Sequence, residues 1–566
     1  MPAALEMMDR EIIRAVEASV FAAGLPPDAG AALLIELDGI EAGLDDEAQK
    51  VTSICMEYGA RSCRYARDES ERKKLWAARK GAFGAIGRIS PDSMIQDAVV
   101  PRSRLPQVLG AAYDIASRYQ LRIANVFHAG DGNLHPLICF DSRFADEVRR
   151  VKDAGRELME VCVAAGGTIT GEHGVGLDKR ELLPLVFTDA DMNAMLSVRA
   201  AFDPLGLCNP GKIIPMLRGC GEAKAVASDN GSAAEMQPVI EPVVTTPEIE
   251  VARPAEFNSD RAVTLLDQIT DDANISSHNG TITVSPASAE EISEVLKLAS
   301  SEHWTVAPAG GMMSLWLTAN LIVNTRRLNR IIEHEPADLI AIAQAGVTLT
   351  DFNARLAENG QWLPLDPPDD GRATLGGVVA TGIAGPQQFG YGRPRGSVIG
   401  MKVVLADGSM IKAGGRVVKN VAGYDLCKLF TGSYGSLGII TELNFKLRPR
   451  PAREATVMAH GAFSKLRKSA SRILEARLFP VASEIIEDVL YVRFAGNEKG
   501  VAFQTEQALK LVHNAEIVMD DVELWKKITA DRASDVIVRE EPSGTANVLM
   551  QRIKRQLDPK NILAAD

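Results

Sequence analysis

The sequence is short of thiols. Its seven cysteines (Cys55, Cys63, Cys139, Cys162, Cys208, Cys220 and Cys427) are spread over 566 residues with no Cys-x-x-Cys pair. Iron–sulfur clusters need closely spaced thiolates, so none is expected in this chain. An odd, scattered set also argues against a disulfide framework and for reduced thiols in a cytoplasmic setting. Positive charge is in deficit as well: Lys and Arg number 62 against 74 Asp and Glu, a net charge of −12. Nucleic-acid binding draws its affinity largely from phosphate neutralisation, so no nucleic-acid partner is expected. No uncharged apolar run reaches the ~18–20 residues that span a bilayer, so no transmembrane segment is expected. The opening stretch, MPAALEMMDREIIRAVEASV, carries early acids and no apolar core, so no secretory signal is expected either.

What is present is ordinary globular material, 46% hydrophobic and 24% charged. At roughly 100–200 residues per domain, the length suggests three to five domains. One boundary is plain. No aromatic residue occurs between Phe202 and Phe257, and residues 219–256 are dominated by Ala, Ser, Pro, Glu and Val without periodicity. Such a stretch buries too little apolar surface to offset its ordering, and it reads as a flexible linker. It divides the chain into a first half, 1–218, and a second half, 257–566.

The first half alternates strand and helix signals. Ala31–Ile40, Arg122–Phe127 and Pro136–Phe140 read as strands. The spacing of Ala48, Val51, Ile54 and Cys55 predicts a helix over Asp46–Tyr58, and Leu105–Tyr119 and Ala145–Ala165 read as further helices. The pattern is α+β with an antiparallel sheet. The second half opens with a strand at Gly280–Val284, a helix at Ala289–Glu302 and a strand running into Pro308-Ala309-Gly310-Gly311. Of the 47 glycines, 16 fall between Gly371 and Gly438, among short β-branched runs. That density allows close backbone approach to a ligand. A faint repeat links the halves. Each closes with an amphipathic helix stopped at Asp-Pro, Asp203-Pro204 and Asp558-Pro559, and then a short apolar turn. Two such endings suggest related modules in tandem.

Three of only eight histidines fall within 46 residues: His128, His135 and His173. The turn signal Gly130-Asp131-Gly132-Asn133 should set His128 and His135 side by side at the ends of neighbouring strands. His173 follows Glu172 in Gly171-Glu172-His173-Gly174-Val175-Gly176. Imidazole and carboxylate suit a divalent ion such as zinc or manganese, and two His with one Glu leave positions open for a substrate oxygen. Separate turn histidines are the bland alternative, but packing alone does not require glycines around each site. A hydrolase could use the same ligands. Arg79, in Leu75-Trp76-Ala77-Ala78-Arg79-Lys80, could hold a carboxylate in bidentate fashion, although taken alone it reads as a solvated helix charge.

These residues resemble a known family. The first half, from Pro2-Ala-Ala-Leu-Glu-Met-Met-Asp9 through the His128–His135 segment and Gly171–Gly176 to Asn209-Pro-Gly-Lys212, resembles the C-terminal half of flavin-linked 2-hydroxyacid dehydrogenases, closest to the D-type subunits of bacterial glycolate oxidases. The second half resembles their E-type subunits, through Asp370-Gly-Arg-Ala-Thr374-Leu-Gly376-Gly377, Gly390-Tyr-Gly-Arg-Pro-Arg-Gly396 and Arg416-Val-Val-Lys419-Asn420-Val-Ala-Gly423-Tyr424-Asp425. Both belong to the vanillyl-alcohol-oxidase/p-cresol-methylhydroxylase flavoproteins, in which an FAD domain precedes a cap domain with the substrate site. The resemblance implies a cap domain over 1–218 that lacks an FAD domain of its own. It further implies a PCMH-type FAD-binding domain over 257–450 and a reduced cap over 451–566.

By the same resemblance, His128, His135 and Glu172 hold a divalent metal (zinc, manganese or iron). His173 acts as general base, and Arg79 grips the substrate carboxylate. Relatives add a lysine to that grip where this chain has Ile95 or Gln96. Pro308, Ala309, Gly310, Gly311 and Ser314 form the first pyrophosphate loop, where relatives usually have Arg-Gly for Pro308-Ala309. Thr374, Leu375, Gly376 and Gly377 form a second flavin contact, Lys419, Asn420 and Gly423 a third, and Asn209 another. No histidine in the first loop offers a covalent link, so non-covalent FAD is implied.

The function implied is FAD-dependent oxidation of a short 2-hydroxy acid, glycolate to glyoxylate. Electrons would pass to a separate acceptor such as an iron–sulfur subunit of a glycolate oxidase, and any membrane contact would come through partners. The alternative is a non-catalytic FAD-binding assembly subunit of such a complex. A metal-dependent hydrolase confined to the first half is the third reading.

Overall fold

The computed structural model describes residues 2–215, 257–311, 319–519, 521–531 and 544–564. The expected linker, 219–256, therefore lies outside the described residues, as does Ser314.

The first half is built on an antiparallel sheet, as its strand pattern predicts. Ala4–Asp9 lies between Ala31–Glu36 and Arg122–His128, and Arg122–His128 pairs onward with Pro136–Phe140, which pairs with Asp92–Ile95. Two short strands, Asn133–Leu134 and Ala98–Val99, continue from the far end of Arg122–His128. Helices Leu105–Arg118 and Ala145–Ala164 cover one face, through Val108, Ala112, Val151 and Leu158. Arg10–Glu17 and Glu69–Ala85 pack a second core with Ile12, Val16, Ala78 and Ala82. Thr168 makes a single antiparallel bridge to Val99.

Among the described residues the second half has three sheets of four or five strands, besides a two-stranded pairing of Gln361–Trp362 with Arg448–Pro449. Val306–Ala309, Leu321–Asn324 and Thr281–Val284 are parallel neighbours, with Ile275–His278 added antiparallel. Five antiparallel strands follow in the order Ile331–Glu335, Ile340–Gln344, Ile439–Lys446, Val398–Val404 and Met410–Gly414. Beyond residue 450, Ala482–Ile486, Val489–Gly496, Arg453–His460 and Ala515–Val518 form an antiparallel sheet, with Phe463–Glu475 and Glu498–Leu511 on one face.

One hydrophobic core spans both halves. It runs from Phe127 and Ile169 through Phe187 and Met195 to Ala422, Leu426 and Phe445. The two helices of the internal repeat, Asp189–Phe202 and Thr545–Leu557, pack against each other. Their ends are built alike. Asp203 accepts from the amides of Leu207 (2.9 Å) and Cys208 (2.8 Å), and Asp558 accepts from Ile562 (3.0 Å) and Leu563 (2.9 Å). Each aspartate also pairs with a cation four residues earlier, Arg199 or Lys554. The amides of the turn after each helix have no helical partner and need an acceptor, and both modules meet the need with the same side chain.

Candidate metal and substrate site at the seam of the two halves

The turn after Arg122–His128 behaves as its sequence predicts. Ala129–Asp131 form one 3₁₀ turn, and Gly132 takes φ +71°, where a Cβ would lie 2.0 Å from the Val100 carbonyl oxygen. The chain reverses, and the rings of His128 and His135 come to 5.4 Å, edge to face. His135 is buried. Glu172 completes the group: its Oε1 lies 3.1 Å from His135 Nε2 and 3.5 Å from His128 Nε2. The three ligand atoms all fall within 4.8 Å of one another. Ligands ~2.1 Å from a shared ion at tetrahedral angles stand ~3.4 Å apart, so the donor set and its spacing fit a divalent cation. His173 stacks on His135 with ring centroids 5.1 Å apart and lies exposed at the rim.

Two carboxylates that sequence reasoning missed hold this arrangement. Glu6 sits directly across the strand pair from His128 and takes its Nδ1 at 2.7 Å, which leaves Nε2 facing Glu172. Carboxylates behind metal-binding histidines commonly set ring orientation and tautomer in this way. Burial alone would raise the Glu6 carboxyl, but the bond to His128 and the charge of Arg79 hold it below its ordinary value. Asp97 is fully buried. Its Oδ2 accepts from the Thr170 hydroxyl (2.6 Å) and from the amides of Gly171 (2.9 Å), Glu172 (3.1 Å) and His173 (2.9 Å). Its Oδ1 accepts from Asn133 at 2.7 Å. Burial disfavours the charge, but these donors outweigh it and keep the carboxyl well below the usual range. Lys179 completes the support by donating to the carbonyls of Asp97 (2.6 Å) and Ile169 (2.8 Å). An acid heading the buried run Asp97-Ala98-Val99-Val100 was the one local signal available for it.

Arg79 is 5% exposed, with both Nε and Nη2 at 2.8 Å from Glu6 Oε2. Its guanidinium thus serves the carboxylate that orients His128.

The expected flavin segments divide into two groups. The Pro308–Gly311 turn and the Thr374–Gly377 segment lie against each other: a Cβ at Gly310 would stand 2.1 Å from Thr374 Oγ1, and one at Gly311 would stand 2.1 Å from the Arg372 carbonyl oxygen. Only residues without side chains allow this approach. The Leu375 and Gly376 amides already bond to the Val347 and Ala345 carbonyls, and the Gly377 amide to Thr374 Oγ1. The glycines here serve the packing of the two segments on each other, and these three amides are taken up within the protein. The Lys419–Gly423 segment lies instead on the first half. Asn420 Oδ1 accepts from Thr168 Oγ1 (3.2 Å), and the Val421 amide donates to the Thr170 carbonyl (3.3 Å). Lys419 Nζ lies 3.3 Å from Glu172 Oε2 and 3.1 Å from Asp131 Oδ2. Asn209 occupies an exposed turn at φ +46° after helix Asp189–Phe202, close to Arg199, which donates to both the Cys208 carbonyl and the Tyr424 hydroxyl.

With the cluster at the seam in view, comparison with known proteins becomes informative. Residues 1–213 match the family of FAD linked oxidases, C-terminal domain, and residues 281–414 match the FAD binding domain family. The two matches follow one another along the chain. Its first half is similar to glycolate oxidase subunit GlcD of Escherichia coli K12, 46% identical over 230 residues, which are 41% of this chain and 46% of that one. Its second half is similar to subunit GlcE of the same organism, 37% identical over 175 residues, which are 30% of this chain and 49% of that one. The chain thus spans about half the length of each curated relative it matches. Among solved structures, p-cresol methylhydroxylase with substrate bound is similar at a TM-score of 0.40 and 15% identity, covering 53% of this chain and 72% of that one. Among the described residues, no helix is long and apolar enough to cross a membrane.

Proposed function

We propose that the chain oxidises a short 2-hydroxy acid, with glycolate to glyoxylate as the reference reaction, at a composite site drawn from both halves. The observation that carries this reading is the seat of Lys419, Asn420 and Val421, which belong to the second half yet lie on the Glu172 loop of the first. His128, His135 and Glu172 would hold a divalent ion, and the glycine segments 308–311 and 374–377 would hold FAD without a covalent link. When bound, the ion acidifies a substrate hydroxyl and the flavin accepts two electrons.

The remaining work belongs to the chain. Glu6 keeps His128 Nε2 turned inward, and Asp97 fixes the loop that presents Glu172 and His173. The imidazole of His173, exposed at the rim, would take the hydroxyl proton as the 2-hydroxy acid becomes the 2-oxo acid. The shared core brings the FAD-domain loop to this rim within one polypeptide. Electrons would leave to a further subunit of a glycolate oxidase complex, an iron–sulfur protein by resemblance.

The test is anaerobic spectroscopy of the purified chain. Glycolate or D-lactate should bleach the visible flavin band, and His173→Ala should keep the flavin but lose the bleaching. A flavin that stays oxidised with every 2-hydroxy acid tried would instead assign the chain to the non-catalytic assembly role. A colourless chain with hydrolytic activity would refute both.

A further inference from the structure

Helix Leu44–Glu57 buries none of its side chains, and its Ile54 and Met56 are exposed. A surface helix is ordinarily held by a packed apolar face. This one is held by scattered side-chain contacts instead, and two of the chain's thiols lie among them. We propose that Cys55 and Cys63 are a redox-active pair, which closes to a disulfide under a peroxide and staples this helix to the segment 61–65 that follows it.

Three observations carry it. The first is the path of the chain. Gly59, at φ +85°, lies just past the helix, and the Tyr58, Gly59 and Ala60 amides close onto the carbonyls of Ile54 (3.1 Å), Met56 (3.1 Å) and Cys55 (2.9 Å). A left-handed glycine at this position turns the chain away from the helix axis, and residues 61–65 run back along the helix. Tyr65 marks how far they reach: its hydroxyl donates to the Ala48 carbonyl (3.1 Å) and meets the Thr52 hydroxyl. Ala48, Thr52 and Cys55 stand on one helix face, at spacings of four and three. Cys63, two residues before Tyr65, is thereby brought level with Cys55, and the two thiols hydrogen-bond.

The second is that the returning segment is fixed on both sides of Cys63. Arg61 grips Asp28 through two nitrogens (2.8 and 3.1 Å), and Arg64 donates to the carbonyls of Ala23 (3.1 Å) and Gly24 (3.3 Å). The sulfurs are therefore neighbours before any bond forms.

The third is access. Cys63 is exposed and Cys55 half-buried, whereas Cys139, Cys162 and Cys427 are buried. Burial, and then Cys63 beside it, raise the Cys55 thiol, so Cys63 is the sulfur that meets the oxidant. Its thiolate attacks one peroxide oxygen, the O–O bond breaks, and a sulfenic acid forms as the first water leaves. The Cys55 sulfur then displaces the second water from that sulfur. Two thiols lose two electrons and two protons, and one hydrogen peroxide becomes two waters. A disulfide this exposed is open to small thiols, which reverse the step.

The other end of the same helix touches the second half: Asp46 pairs with Lys499 (2.6 Å), and Glu47 accepts from Asn497 (2.7 Å). A stapled helix keeps both contacts in place, so the thiol state sets how firmly this edge of the first half is clasped to the second.

The experiment treats the full chain with hydrogen peroxide, blocks the remaining thiols by alkylation and digests with trypsin, which cuts after Lys50, Arg61 and Arg64. The peptides 51–61 and 62–64 should appear joined, and dithiothreitol should separate them. Hydrogen exchange across helix Leu44–Glu57, its first turn included, should slow about 10-fold on oxidation. Cys63→Ser should abolish both changes, and Cys208→Ser neither. Cys55 and Cys63 recovered as separate alkylated thiols, or Cys63 recovered as a sulfinic acid beside a free Cys55, overturns the pair. Joined peptides with unchanged exchange overturn the staple, and slowing confined to the last turn overturns the clasp.

Discussion

Replacing Asp97 tests whether a buried carboxylate that itself ligates nothing builds the site. Four donors converge on its Oδ2: the Thr170 hydroxyl and the amides of Gly171, Glu172 and His173. Asp97→Ala leaves three main-chain N–H groups without an acceptor, at about 1–3 kcal/mol each, so a loss of about 3–9 kcal/mol is expected. Asp97→Asn keeps one acceptor oxygen but turns an amide toward the Asn133 Nδ2 donor, so roughly 2–4 kcal/mol is expected. Against a typical domain stability of about 5–15 kcal/mol these are large effects.

The pH dependence follows from the depressed carboxyl. Its contribution is fully present above the unfolded value of about 4 and fades as pH falls below that. Urea unfolding at pH 7 and at pH 3 should therefore show a native advantage over Asp97→Asn that shrinks in acid. Zinc calorimetry on the folded variants should show weakened uptake, because the same loop carries Glu172. A variant as stable as the native chain, with unaltered zinc affinity, would refute the reasoning.

Three further outcomes are expected. Glu6→Ala strands the enclosed Arg79 and frees His128, so it should cost about 3–5 kcal/mol in chemical unfolding and lower ion affinity about 10- to 100-fold by calorimetry. Asp366 is pushed up to about 7 by burial, although the Gln387 amide donates to it. The Asp366 contribution to stability should then be full below about pH 4 and fall as pH rises to 7, by about 4 kcal/mol; Asp366→Asn should abolish that part of the slope and raise the thermal midpoint at pH 8. Gly310→Ala would drive a Cβ to 2.1 Å from Thr374 Oγ1, so the flavin-to-protein absorbance ratio should fall sharply, while Gly30→Ala, with no atom within 4 Å, should leave it unchanged.

Local patterns carried much of this protein. The glycine-framed turn between His128 and His135, the Glu172-His173 pair and the glycine segments were all visible because each depends on neighbours a few residues away. The repeated Asp-Pro helix ends were visible for the same reason, and the structure shows both built around the same side-chain acceptor. What joins these pieces was not visible. Glu6 meets His128 across 122 residues, Asp97 meets the Glu172 loop across 75, and Lys419 meets Glu172 across 247. An arginine on a helix reads the same whether it faces solvent, a substrate or a buried glutamate. Arg79 meets a buried glutamate because strand Ala4–Asp9 turns Glu6 into its path. Residue type and short spacing therefore determined which groups could do chemistry. Only the shared core of the two halves decided which of them stand together, since burial and long-range pairing depend on where the whole chain comes to rest.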